Sequence, residues 1–283
     1  MDIRDLLGRL PFESLKPPPL VNVVRLSGVI GEGRGGGLRQ GLSLSGLAEI
    51  IERAFKPKNL SAVALAINSP GGSPVQSSLI AGRIRQLANE KKVRVFAFVE
   101  DVAASGGYWL ATAADEIFVD AASIVGSIGV VSAGFGFSQL IEKIGVERRV
   151  HAQGARKAML DPFRPEREDD VARLLALQVD LHDGFKAEVR HRRGGKLKGD
   201  DATLFEGDIW IGRKAVDLGL ADGIGDLRSV LRGRFGEKVK LAVVGGQESW
   251  LRRRFGLSAA PAGLTHDVLS AIEDRLHWSR YGL

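Results

Sequence analysis

Two short segments hold the residue types most able to do chemistry. In Ala103-Ala104-Ser105-Gly106-Gly107-Tyr108 a single serine stands among small residues, after an apolar run ending at Val99 and at the start of a helical pattern. Small neighbours let a substrate backbone approach the hydroxyl, and a helix N-terminus offers positive potential to an alkoxide or oxyanion. A plain helix N-cap would use the same residue, so taken alone the segment leaves nucleophile and cap both open. The second segment, Asn68-Ser69-Pro70-Gly71-Gly72, follows the continuous apolar run Ala62 to Ile67. Two glycines at the carboxyl end of a strand turn backbone N–H groups outward, as an oxyanion hole requires, with donors about 3 Å from the developing charge. A tight turn would also place them there.

Other chemistries fare worse. The 283 residues include no cysteine, which removes disulfides, thiolate metal sites and cysteine nucleophiles. The histidines, at 151, 182, 191, 266 and 277, show no metal-ligand spacing, and no metal or other cofactor is predicted. Gly31 to Gly37, GEGRGGG, lacks a Gly-Lys-Ser/Thr ending and dinucleotide-fingerprint spacing, so it reads as a loop. A net charge of +6 is spread along the chain and predicts a solvated surface rather than a nucleic-acid partner. Apolar residues at 44% and charged residues at 26% fit a folded globular chain and exclude general disorder.

The elements that must position these residues alternate between strand and helix. Val21 to Leu26, Ala62 to Ile67, Val93 to Val99, Glu116 to Val119 and Arg148 to His151 read as strands. Leu47 to Phe55, Ser77 to Leu87, a stretch from Ser105, Ser138 to Ile144 and about 166–190 read as helices, the last with Val171, Leu174, Leu181, Phe185 and Val189 as its apolar stripe. Such alternation predicts an α/β fold with a mainly parallel sheet. Three regions follow: 1–20, an amphipathic arm with a Pro17-Pro18-Pro19 linker; 21–235, the central domain; and 236–283, an accessory strand and helix. The arm suits packing on the body or a neighbouring subunit, or a peripheral membrane contact. The last helix, with Leu264, Val268, Ile272 and Leu276 on one face, suits an intersubunit or capping role. No signal peptide or membrane-spanning stretch is read, which predicts a cytoplasmic protein.

Four motifs in order, Asn-Ser-Pro-Gly-Gly at 68–72, Ala-Ser-Gly-Gly-Tyr-Trp at 104–109, DEIFVDAASIVGSIGV at 115–130 and GDIWIGRKAVDLGLADGIG at 207–225, resemble the signal peptide peptidase A family of serine peptidases. The resemblance implies a Clp/crotonase-like superhelix of ββα units and a Ser/Lys dyad. It implies Ser105 as nucleophile and a lysine about fifty residues downstream as general base. Lys157 lies 52 residues after Ser105, before Pro162-Phe163-Arg164. The adjacent Arg156 stays protonated and cannot act as a base, whereas Lys157 can if burial favours its neutral amine. Gly71 and Gly72 are the implied oxyanion hole. Ser127, in Gly126-Ser127-Ile128-Gly129, is a candidate to hold the lysine, or else a turn serine.

The expected activity is endopeptidase cleavage of apolar peptides, such as cleaved signal peptides or unfolded chains, bound extended beside a strand. A single catalytic repeat implies a homo-oligomeric ring, in which Ser105 and Lys157 of different copies can form the dyad. The alternatives are a Ser/His hydrolase using His151, or a catalytically silent scaffold of the same fold that binds hydrophobic segments.

Overall fold

A computed structural model describes residues 17–31, 41–245, 278–279 and 281–282. The N-terminal arm, most of the Gly31 to Gly37 loop, the Arg252-Arg253-Arg254 triplet and the 264–276 helical face lie outside the described residues.

One eight-stranded sheet organises the chain. Its main path runs β6 (Ile209–Ile211), β5 (Ile124–Gly126), β3 (Arg94–Ala104), β2 (Leu60–Ser69), β1 (Leu20–Ser27) and β8 (Lys240–Val244). Two further strands, β4 (Glu116–Val119) and β7 (Gly223–Ile224), continue from β3. Every pairing is parallel except β5 with β6. The expected α/β architecture is thus present, and β8, from the stretch read as an accessory tail, pairs directly with β1 at the sheet edge.

Strand periodicity explains the two cores. Val63, Leu65, Ile67, Val95 and Ala97 face one layer, with helices α1 (Leu44–Ala54), α2 (Pro74–Lys91), α3 (Gly106–Thr112) and the end of α5 (Glu168–Arg193). The alternate residues Ala62, Ala64, Ala66, Phe96 and Phe98 face the other, covered by α8 (Leu227–Phe235). β2 is therefore buried on both sides, as its unbroken apolar run requires. Three short helices, α4 (Ser138–Lys143), α6 (Asp201–Leu204) and α7 (Gly212–Asp217), complete the order.

Three expectations are corrected. The strand expected to end at Val99 continues to Ala104, because it forks: Phe96–Val99 pairs with β4 and Val102–Ala104 with β5. Its charged pair is accommodated there, Glu100 by Arg25 at 2.8 Å and Asp101 by the Asn68 amide at 2.6 Å. The strand expected at Arg148–His151 does not form, since its residues have no sheet neighbour among the described residues and are nearly all exposed. The stripe on α5 is buried only at Phe185 and Val189, while Leu175, Leu177, Val179 and Leu181 are exposed.

The end of α5 is pinned by a buried ion pair. Arg193 donates to Asp222 at 2.6 Å and to the Gly219 carbonyl, and Lys196 reaches the same carboxylate at 2.7 Å. Burial works to raise the Asp222 carboxyl, but hydrogen bonds from Arg193, Lys196 and the Ile117 N–H hold it below the usual carboxylate range. Its stabilising contribution is then complete above the unfolded carboxylate value and is lost as pH falls through the lower folded value. Asp222→Asn, which leaves Arg193 without its counter-charge, should cost about 3–5 kcal/mol at pH 7. Urea melts should show the gap between wild type and variant closing on acidification.

Candidate active site

Parallel β1, β2, β3 and β5 deliver their carboxyl ends to one edge of the sheet, where crevices in open α/β sheets form. Four chain segments meet there: Ile30 beyond β1, Pro70-Gly71-Gly72 beyond β2, Ser105 beyond β3 and Ser127 beyond β5. The fork in β3 lets β5 rather than β4 flank Ser105, and the Ser105 N–H donates to the Gly126 carbonyl at 2.8 Å.

Ser105 is a sharp strand-to-helix turn. Its φ of 52° and ψ of −122° are unusual for a residue with a side chain, and such strain costs about 1–3 kcal/mol. It occupies the N-cap position of α3, yet its side chain makes no capping hydrogen bond. The hydroxyl is therefore not spent on the helix, which removes the cap reading. A serine on a strained turn between a strand and a helix is presented outward, the geometry required of an exposed nucleophile.

The two glycines are required by close approach. A Cβ on Gly71 would lie 2.8 Å from the Ser105 Cβ, and one on Gly72 would overlap the Ile30 carbonyl. Both have positive φ, 106° and 140°. Ile30 accepts from the Ser73 N–H and donates to the Gly71 carbonyl, each at 2.8 Å. That bridge leaves the Gly72 N–H on the side of the ribbon away from Ile30. The Gly71 N–H donates to Ser69 Oγ at 3.3 Å. Gly72, but not Gly71, lines the small cavity at Ser105.

That cavity also has Trp109, Val130 and Phe185 as apolar walls, and it offers about 20 Å³ of room for a water-sized sphere. Trp109 stacks on Phe185 with centroids 4.7 Å apart and planes at 13°. Neither residue type nor spacing marks either of them as a site residue in the sequence. Trp109 follows Ser105 closely enough to have been considered, whereas Phe185 reaches it only through the docking of α5.

Ser127 shares the positive φ of Ser105, at 52°, and its N–H donates to the Asp208 carbonyl at 2.6 Å. Lys157 is elsewhere. It is exposed, its N–H closes a turn on the Gly154 carbonyl at 3.1 Å, and it neither lines the cavity nor hydrogen-bonds Ser105. His151 is exposed on the same excursion. The structure thus brings Ser105, Gly71, Gly72 and Ser127 together and does not bring Lys157 to them within one chain.

The excursion between β5 and α5 is held by its own contacts. Phe137 meets the Phe163 ring at 5.6 Å and donates its N–H to the Pro162 carbonyl at 2.6 Å. Phe135 is 79% exposed, Ile144 65% and Val131 63%, an apolar surface left uncovered among the described residues.

Comparison with known proteins gives consistent relatives. Residues 87–238 match the model for peptidase family S49. A putative protease of Synechocystis sp. is 31% identical over 253 residues, covering 86% of this chain and 89% of the relative. A protein of Brucella abortus named Na(+)/H(+) antiporter NhaA is 52% identical over 273 residues, 93% of this chain but 37% of that relative. A second Brucella relative of the same name is also covered over 37% of its length, so the chain spans little more than a third of these two. Among the described residues no helix is long and apolar enough to cross a membrane. Among solved structures, a mutant of the 1510-N membrane-bound stomatin-specific protease shares the fold, with a TM-score of 0.51, 14% identity, and coverage of 82% of this chain and all of that one.

Proposed function

The chain belongs to peptidase family S49, a family of serine peptidases, and we propose that it cleaves apolar peptides by acyl transfer, with Ser105 as nucleophile and Lys157 of a neighbouring copy as base. The observation carrying this reading is the Ser105 turn: a strained serine, its hydroxyl unused as a cap, on an apolar cavity that Gly72 also lines. Neutral Lys157 takes the Oγ proton, and Oγ bonds to the scissile carbonyl carbon. The carbonyl oxygen becomes an oxyanion facing the Gly72 N–H, with Gly71 leaving room for the approach. The lysine ammonium then protonates the leaving amine as the C–N bond breaks. Water, deprotonated by the same lysine, releases the acyl group and restores Ser105.

Two features support completion by a second copy. Lys157 is exposed in the single chain, whereas a base needs a dry setting that favours its neutral amine. It is also carried on the excursion whose apolar residues are exposed among the described residues, and a neighbouring subunit would bury both together. In this reading Ser127, on the turn after β5, accepts from the arriving ammonium.

The cavity at Ser105 suits a small apolar side chain at the residue whose carbonyl is attacked. Trp109→Ala should open its wall, shifting relative kcat/KM from alanine towards leucine at that residue by about tenfold. Gly72→Ala should cut turnover by about 10²-fold or more, since its Cβ displaces the ribbon carrying the oxyanion donor. Hydrolysis of a fluorogenic apolar peptide and of an unfolded protein tests the function itself. Cleavage of either is expected, and an intact oligomer that cuts neither would overturn the proposal in favour of a binding scaffold.

A further inference from the structure

The edge of the sheet opposite the site carries unmatched positive charge. Because β8, β1, β2 and β3 are parallel, all four begin at that edge: Leu20 pairs with Leu60 on one side and Lys240 on the other, and Ala62 pairs with Arg94. The turns entering these strands bring Lys56, Lys58, Lys91, Lys92, Lys238 and Lys240 there, all exposed. Among the described residues none of the six makes an ion pair, whereas the acids beside them are taken. Glu116 is held by Arg94 and Arg234, each at 2.6 Å, Asp115 by Arg85 at 3.0 Å, and Glu237 faces Arg232 at 3.7 Å. Glu90 is left without a cation and accepts from the Gln86 amide.

Helix ends explain part of this charge, since Lys91 closes α2, where a cation suits the dipole. Lys58 and Lys240 lie outside any helix, so that account does not reach them. Lys92 sits at φ 54° and ψ 40°, a left-handed cap that glycine fills without cost, yet the residue there is charged.

We infer that this edge is a docking face for an anionic lipid bilayer. Lysine ammoniums on flexible stems suit headgroups that have no fixed arrangement, and each adds attraction near a negative surface. Nucleic acid fits less well: the rings near this edge, Phe55 and Phe96, are buried and offer no base a platform. The chain also enters the sheet here, with the Pro19 carbonyl accepting from the Lys240 N–H at 2.8 Å. Docked by this edge, β2 and β3, ten and eleven residues long, rise from the bilayer and hold Ser105 about 30 Å above it. The inference stands apart from the peptidase reading and adds an orientation to it: the cleft opens to water and takes peptides from solution.

The test sediments the full chain with vesicles of phosphatidylcholine, alone or with phosphatidylglycerol added. Binding to the anionic vesicles only is expected, and its loss at about 0.5 M salt, where charges are screened within a few ångströms. Lys58→Gln, Lys238→Gln and Lys240→Gln together should weaken binding by about 10²-fold, roughly fivefold per lysine. A control of equal charge from elsewhere on the chain, Lys143→Gln, Arg213→Gln and Lys214→Gln, should change it by no more than about threefold. Thermal melts and oligomer size check that both triple variants fold. Equal losses in the two triples would overturn the inference, because net charge and not this edge would then be responsible. Salt-resistant binding to both kinds of vesicle would overturn it too, by moving the contact to apolar residues. Tighter binding to a DNA duplex than to anionic vesicles, lost in the first triple alone, would replace lipid by nucleic acid. Binding to none of these would end the docking reading and leave the peptidase reading standing.

Discussion

Ser105→Ala is expected to lower kcat on an apolar fluorogenic peptide by about 10⁴-fold or more, with peptide affinity and oligomer size unchanged. The hydroxyl supplies the bond-forming atom, and the oxyanion donor alone leaves only a residual rate. Alanine keeps the Cβ that meets Gly71, so the neighbouring ribbon has no reason to move. The strain offers a second readout. Ser105→Gly should also abolish turnover, yet it relaxes a φ of 52° that only glycine adopts freely. The glycine variant should therefore be inactive and more stable than the alanine variant, by about 1 kcal/mol. A serine kept in a strained turn for structural reasons alone would give no loss of turnover in either.

Lys157 carries the second large effect. Lys157→Ala should cost about 10³-fold or more in kcat, and Lys157→Arg should fare no better, since a guanidinium keeps its proton. Because Lys157 is exposed in the chain, neither change should alter the stability of the isolated subunit by more than about 0.5 kcal/mol. His151→Ala serves as the counter-test. Activity within about twofold of wild type is expected, and its loss alongside an active Lys157→Ala would move the base to His151. Initial rates on one peptide, with oligomer size checked for each variant, decide between the two.

What could be read in the sequence divides along physical lines. Ala62 to Ile67 announced a strand buried on both faces because its apolar run is continuous, and the α/β architecture followed from such runs alternating with helical spacing. The serine and glycines at the strand ends were legible for a related reason: consecutive residues at the carboxyl ends of parallel strands must share an edge. The end of β3 was not legible, because Glu100-Asp101 looks like a turn until Arg25 and Asn68 are seen beside it. β5 and β6 are three residues each, too short for any period to show. Arg148–His151 has strand-like residues with no sheet to join. Contacts made by docking were beyond reach as well: Trp109 on Phe185 depends on how α5 packs, and Tyr281 meets Ser127 across 154 residues of sequence. The place of Lys157 lies further still, because one chain alone leaves it in solvent.

Complementation shows whether Ser105 and Lys157 act together across a subunit boundary. Chains carrying Ser105→Ala and chains carrying Lys157→Ala, each inactive alone, are mixed in equal amounts, dissociated and reassembled, and assayed on the apolar peptide. Random assembly gives an intact serine facing an intact lysine at about a quarter of the sites, so activity near a quarter of wild type is expected. Reassembled mixed oligomers that remain as inactive as either parent would contradict it.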